Sequence, residues 1–158
     1  MKIIGIDPDV ERSGVAILDL PSRSLHLFSL SFAMLVGRLF WFKAQTENIT
    51  IVIEAGWLNH SNWHITQYDS KGQACAKGYH VGRNHEVGIK LVEIARYLGY
   101  QTIEQRPLRK FWKGTNGKIT QDELFQLTGY KGRTNQDARD AALLAWNYAK
   151  LPIKINKK

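Results

Sequence analysis

Residues 3–19 read IIGIDPDVERSGVAILD, and the placing of one acid in this stretch decides how the chain is to be folded. Ile3 to Ile6 is apolar and strand-like, Asp7 ends the run, DPDVERSG reads as a turn, and Val15 to Asp19 reads as a returning strand. An acid closing an apolar strand is costly, because carboxylates are seldom buried unless paired or bound to metal. Glu54 repeats the oddity at the end of ITIVIEAG, residues 49–56. Asp137 and Asp140 stand three apart at the start of an apolar helix, and so share a face.

Outward from these acids the chain has an α/β order. Lys2 to Asp7, Val15 to Asp19 and Leu25 to Leu30 read as three strands joined by tight turns, hence antiparallel neighbours. Phe32 to Ala44 has the length and apolar face of a helix, and Ile49 to Glu54 is a β-branched strand. Residues 57–83 lose periodicity and read as a loop. A helix is expected from about Asn84 to Leu98, with Val87, Leu91, Ala95 and Leu98 as one stripe. Gln101 to Gln105 makes a fifth strand, and helices follow over roughly Thr120 to Leu127 and Asn135 to Lys150.

A crossover helix would bring the fourth strand in parallel beside the first. Asp7 and Glu54 then lie at the carboxyl ends of neighbouring strands, where open α/β sheets bind ligands. Four carboxylates without a histidine or cysteine partner suit Mg2+ or Mn2+ better than zinc. Two such ions, about 3.5–4 Å apart, serve phosphodiester hydrolysis. Each acid also has a plainer reading: Asp7-Pro8 as a turn, Glu54 as an exposed strand end, Asp137 and Asp140 as partners of a helix dipole. Their coincidence in register favours the metal site.

Charge points to the partner. The net charge is +8, and residues 1–78 carry seven basic and seven acidic side chains, whereas 79–158 carry fifteen and seven. Arg106, Arg109, Lys110, Lys113 and Lys118 crowd one segment around Phe111 and Trp112, a mixture suited to nucleic acid. Trp57, Trp63 and Tyr68 lie among polar residues and serve either as wedges against an opened base step or as cover for the core edge. His60 and His64 are i, i+4 but have no third ligand, and His85 beside Glu86 reads as a helix-start residue. The single cysteine, Cys75, forms no intrachain disulfide and suits a reducing compartment. No signal peptide precedes the first strand, and the apolar stretch SFAMLVGRLFWF is too short for a bilayer, so a cytoplasmic protein without membrane contact is expected.

The sequence resembles the RuvC-type Holliday junction resolvases of the ribonuclease H-like superfamily. The matching pieces are IIGIDPDVERSGVAILD, IVIEAG, VGRNHEVGIKLVEIARYLGY, RPLRKFWKG and NQDARDAALLAWNYA, in that order and over nearly the whole chain. The resemblance implies one nuclease domain over 1–158. Its ribonuclease H-like fold is α/β, a mixed five-stranded sheet of order 3-2-1-4-5 flanked by helices. It further implies Asp7, Glu54, Asp137 and Asp140 as catalytic metal ligands for Mg2+, with Mn2+ able to substitute and two ions per site. The implied reaction is paired nicking of four-way DNA junctions by a homodimer, in recombination and repair. The helix over 84–98 is the candidate interface. Asp9 stands where the family usually has glycine, and Gln121 where it often has lysine; Lys118, Lys110 and Lys113 are the nearest replacement charges.

Other readings share the residues. A ribonuclease H-like enzyme for RNA, RNA–DNA hybrids or other branched DNA would need the same acids, as would a transposase-like strand cutter. An actin-like ATPase would need a second lobe, and a non-cleaving binder of branched DNA would not need four intact acids.

Overall fold

Alternation along β1 (Lys2–Asp7) sorts its side chains between two faces, and that sorting builds the molecule from both sides. Ile4 and Ile6 join one core; Ile3 joins the other, and Gly5 and Asp7 share its face. The chain is described by a computed structural model over residues 1–45, 48–59 and 65–153.

β2 (Ser13–Asp19) and β3 (Ser24–Leu30) follow as antiparallel neighbours, with Asp7 opposite Gly14 and Ile17 opposite His26. After helix α1 (Phe32–Ala44), capped by Ser31, β4 (Ile49–Glu54) pairs in parallel with β1. β5 (Gln101–Gln105) pairs in parallel with β4, so the order is β3-β2-β1-β4-β5, as expected from the sequence. β4 is buried at every residue but Glu54, as a central parallel strand covered on both faces should be.

The helix between β4 and β5 departs from expectation. α2 runs from Lys71 to Tyr97, thirteen residues before the expected start at Asn84. Its cap is Ser70, whose hydroxyl accepts from the Gln73 N–H while the Gln73 side chain accepts from the Ser70 N–H. The first half showed no apolar stripe because it has nothing to bury; its buried residues begin at Gly88 and continue with Leu91, Val92 and Ala95. His85 is therefore a mid-helix residue, not a helix-start one. The stripe on the candidate interface helix is core, as a stripe of this kind more often is: Leu91 and Ala95 are buried with α1 and the sheet, and Val87 and Leu98 pack against them.

The opposite face is covered by α3 (Gln121–Thr128) and α4 (Gln136–Tyr148). Seven of the thirteen α4 residues are buried, four of them alanine, so the helix lies close on the strands. Two glycines permit that approach. A Cβ on Gly5 would sit 2.2 Å from the Ala141 carbonyl oxygen, and one on Gly14 would sit 2.1 Å from the carbonyl carbon and oxygen of Asp137. No helix among the described residues is long and apolar enough to cross a membrane.

Candidate active site

The β1–β4 register pairs Ile6 with Ile53, so Asp7 and Glu54 follow at one level on adjacent strands. Both alternate onto the face that carries Ile3 and Val52, the face under α4. Gly14, opposite Asp7 across β1–β2, is the residue on which the Asp137 backbone rests. The first turns of α4 are thereby set over the strand ends, and Asn135 fixes the helix start by accepting from the Ala138 N–H. Asp7, Glu54, Asp137 and Asp140 all line one cleft of about 580 Å³. The structure thus brings together the four acids singled out in the sequence.

Their electrostatics show how closely they are held. The Asp7 carboxyl is raised well above the ordinary aspartate value, first by burial and then by Glu54, Asp140 and Asp137. Glu54 is raised by burial and by Asp140, against the opposing pull of Lys110 and Lys118. Asp137 is raised by burial and by Asp9 and Asp140, with Lys118 opposing. Asp140 is tied instead: Lys118 Nζ lies 3.0 Å from one carboxylate oxygen, and Gln136 Nε2 donates to the other at 2.9 Å. Among the described residues, no three His, Cys, Asp or Glu side chains enclose a single point as ligands to one ion would. The donor chemistry nevertheless fits a hard divalent cation: an all-oxygen, anionic set whose mutual repulsion such a charge relieves.

Lys118 is delivered by a pinned loop. After β5, the backbone turns at Asn116 and Gly117, with φ of 56° and 72°. Trp112 N–H donates to the Gly117 carbonyl, and Gly114 N–H to that of Lys118. Glu123, buried at the start of α3, accepts from the backbone N–H groups of Lys113 and Thr120 and from the Thr120 hydroxyl. Burial opposes ionisation of Glu123, but these donors outweigh it and hold the carboxyl below its usual range. Burial alone would lower the Lys118 pKa; Asp140, then Asp7 and Asp137, hold it above the ordinary lysine value. Of the five basic residues read from this segment, Lys110 and Lys118 line the cleft, while Arg106, Arg109 and Lys113 are exposed on the same loop. Gln121, at the start of α3, donates to the Gly132 carbonyl.

Asp9, the departure from the glycine of the resembling family, is a clamp. One carboxylate oxygen accepts from the Glu11 and Arg12 N–H groups, an Asx turn, and the other accepts from Asn84 Nδ2. The Asn84 oxygen in turn accepts from the Val10 N–H, so the β1–β2 turn is fastened to mid-α2. Asn84 and the adjoining His85 both line the cleft, although the sequence marks Asn84 only as a helix start and sets His85 aside as a helix-start residue. Their signal was the Ser70–Gln73 capping pair, which makes the segment helical, so that Gly78, Val81, Gly82, Asn84 and His85 come to line the cleft.

The aromatic candidates separate. The Trp57 ring lies against Gly88, where a Cβ would be 2.3 Å from it, and its indole N–H donates to Glu104 at 3.0 Å. It is a wall of the cleft and not a free wedge. Tyr68 is 87% exposed beside the Thr66–Asp69 turn. Trp63, with His60 and His64, lies outside the described residues.

A mixed sheet of order 3-2-1-4-5, covered by helices on both faces, defines the ribonuclease H-like fold. Among solved structures, T. thermophilus RuvC in complex with Holliday junction substrate shares it, with a TM-score of 0.57 over 94% of this chain and 92% of that one, at 14% sequence identity. No protein-family model matches the sequence, and no curated protein sequence matches it significantly.

Proposed function

We propose that this protein is a metal-dependent endonuclease that resolves branched DNA, four-way junctions foremost, by paired phosphodiester hydrolysis as a homodimer. One observation carries the reading: four acids from three separate elements meet in one cleft of a ribonuclease H-like sheet, beside Lys110 and Lys118. Asp7, Glu54, Asp137 and Asp140 would hold Mg2+ or Mn2+, which when bound activates water and stabilises the leaving oxygen. The protein's own groups do the rest. Asp7, rigid at a strand end, fixes the depth of the site. Lys118, now paired with Asp140, is the cation nearest the acids and is placed to meet a phosphate oxygen. Lys110, at the cleft rim, draws the DNA backbone towards Glu54. The twofold symmetry of a four-way junction is the physical reason for two copies of the enzyme.

The test is a cleavage panel with Mg2+: synthetic four-way junction, linear duplex and RNA–DNA hybrid. Symmetric nicks in the junction, preferred over both others, are expected. Asp7→Asn and Glu54→Gln should lose cutting by at least about two orders of magnitude yet still bind, because affinity rests mainly on phosphate contacts. Normal cleavage by either variant would sink the site assignment. Degradation of hybrids with junctions left intact would move the substrate to the RNA-directed enzymes of the same fold.

A further inference from the structure

The loop that carries Lys118 also presents an aromatic ring for which the acid chemistry has no use. Leu108 and Trp112 pack against the core under α4, yet Phe111 between them is 61% exposed. The Phe111 ring is not loose. It stacks on Trp112 with centroids 4.7 Å apart and planes 23° from parallel. Trp112 is held in its turn by its N–H bond to Gly117 and by its seat in the core. The next residue, Lys113, is fastened by its N–H to Glu123. Single exposed apolar residues are ordinary on protein surfaces. This one differs in being pre-stacked on a fixed support, with Arg109, Lys110 and Lys113 exposed around it.

We infer that Phe111 is a stacking platform for one unpaired base of the DNA strand whose phosphate lies in the acid cleft. Cations that track a backbone beside an aromatic face are the recognition chemistry of single-stranded nucleic acid. Lys110 fixes the geometry of the assignment, because it lines the cleft and is the immediate neighbour of Phe111. A strand whose phosphate is drawn to Lys110 passes the segment that presents the exposed Phe111 ring. Duplex DNA does not offer that base face, since it is already stacked; strands that part at a branch do. Because the ring is already immobilised, ordering it costs the complex little entropy. The inference rests on the nuclease reading only for the identity of the strand, and it narrows the substrate to DNA with unpaired nucleotides beside the cut.

Binding separates the two ideas. In the Asp7→Asn background, the affinity for a labelled oligothymidylate and for a four-way junction is measured by fluorescence anisotropy in Ca2+. Phe111→Ala should weaken binding by roughly ten- to a hundredfold, and Phe111→Trp should restore it. Replacing bases one at a time by abasic sites should find a position where the wild-type ring loses the same factor and Phe111→Ala loses nothing further. Lys110→Ala should weaken intact and abasic strands alike. The platform is overturned by a Phe111→Ala affinity within twofold of its parent, or by a loss that no abasic position removes. Stronger coupling to oligouridylate than to DNA overturns the assignment to DNA. If the coupling appears but wild-type protein leaves junctions uncut, the junction-resolving reading fails and the platform stands. If junctions are cut and the coupling is absent, the platform alone fails.

Discussion

Asp7 is held against its own chemistry. Its carboxyl is buried and faces three other acids, so its folded pKa is raised above the value in the unfolded chain. The sign follows from linkage. A raised folded pKa means that the native state binds the proton more tightly, so this group's contribution favours folding below the unfolded pKa, about 3.9, and is lost as pH rises through the folded value. Without divalent cation, Asp7→Asn should therefore melt above its parent at pH 7–8. Each kcal/mol is worth about 2–4 °C in a domain of this size. The gain should shrink as pH falls toward the ordinary aspartate range. Added Mg2+ should raise the melting point of the parent more than that of the variant, since binding to the native state alone stabilises it. Equal melting of the two proteins across pH 4–8 would show that Asp7 is not strained by its neighbours. Its oddity was visible in the sequence because an acid interrupts an apolar alternation. Asn84 interrupts nothing; its role exists only once α2 is placed in space, whereas Lys118 was legible as a candidate cation, its pairing with Asp140 alone awaiting the β5–α3 loop.

At the scale of elements, the site depends on how closely α4 lies on β1 and β2. Gly5 and Gly14 leave the helix backbone resting on the strand backbone, and the carbonyl of Asp137 occupies the space a Gly14 side chain would need. Gly14→Val should cost about 3 kcal/mol or more, since overpacking here meets backbone and not a yielding side chain. Whatever folded protein remains should have lost cutting, because Asp137 and Asp140 are lifted from Asp7. Denaturant unfolding and the junction assay measure the two effects separately. A Gly14→Val protein of full stability and activity would mean that α4 is not positioned by this contact. Several elements were legible from their apolar pattern: β1 and β4 are near-continuous apolar runs because both of their faces are covered, and α1 carries the buried stripe of Leu35, Leu39 and Phe42. The first half of α2 was not, since a helix that projects past the sheet carries Gly72, Gly78 and Gly82 and no stripe. Its existence was written in its cap, a weaker signal than burial.

For the whole molecule, the question is whether one copy suffices. On the proposed reading, the cleft's single set of acids would let one copy cut one strand at a time, whereas resolving a four-way junction takes two symmetric cuts. The apolar stripe of α2 is spent on the core, which leaves the exposed parts of the surface to make any contact between copies. If two copies act together on the proposed substrate, their active sites can be made unequal. Wild-type protein mixed with excess Asp7→Asn should form mixed pairs that bind a junction fully but cut one strand, so singly nicked junctions should accumulate and resolved duplexes should fall. Copies that act independently give a different result: the inactive variant competes for junctions and lowers every product, and prolonged incubation still carries the nicked species through to resolution. A plasmid bearing an extruded cruciform separates the outcomes on one gel, since a single nick releases the supercoils and removes the junction, whereas two cuts in one encounter linearise the circle. A linear-to-nicked ratio that falls as the inactive fraction rises requires paired action; a ratio that holds constant while both products decline rules it out.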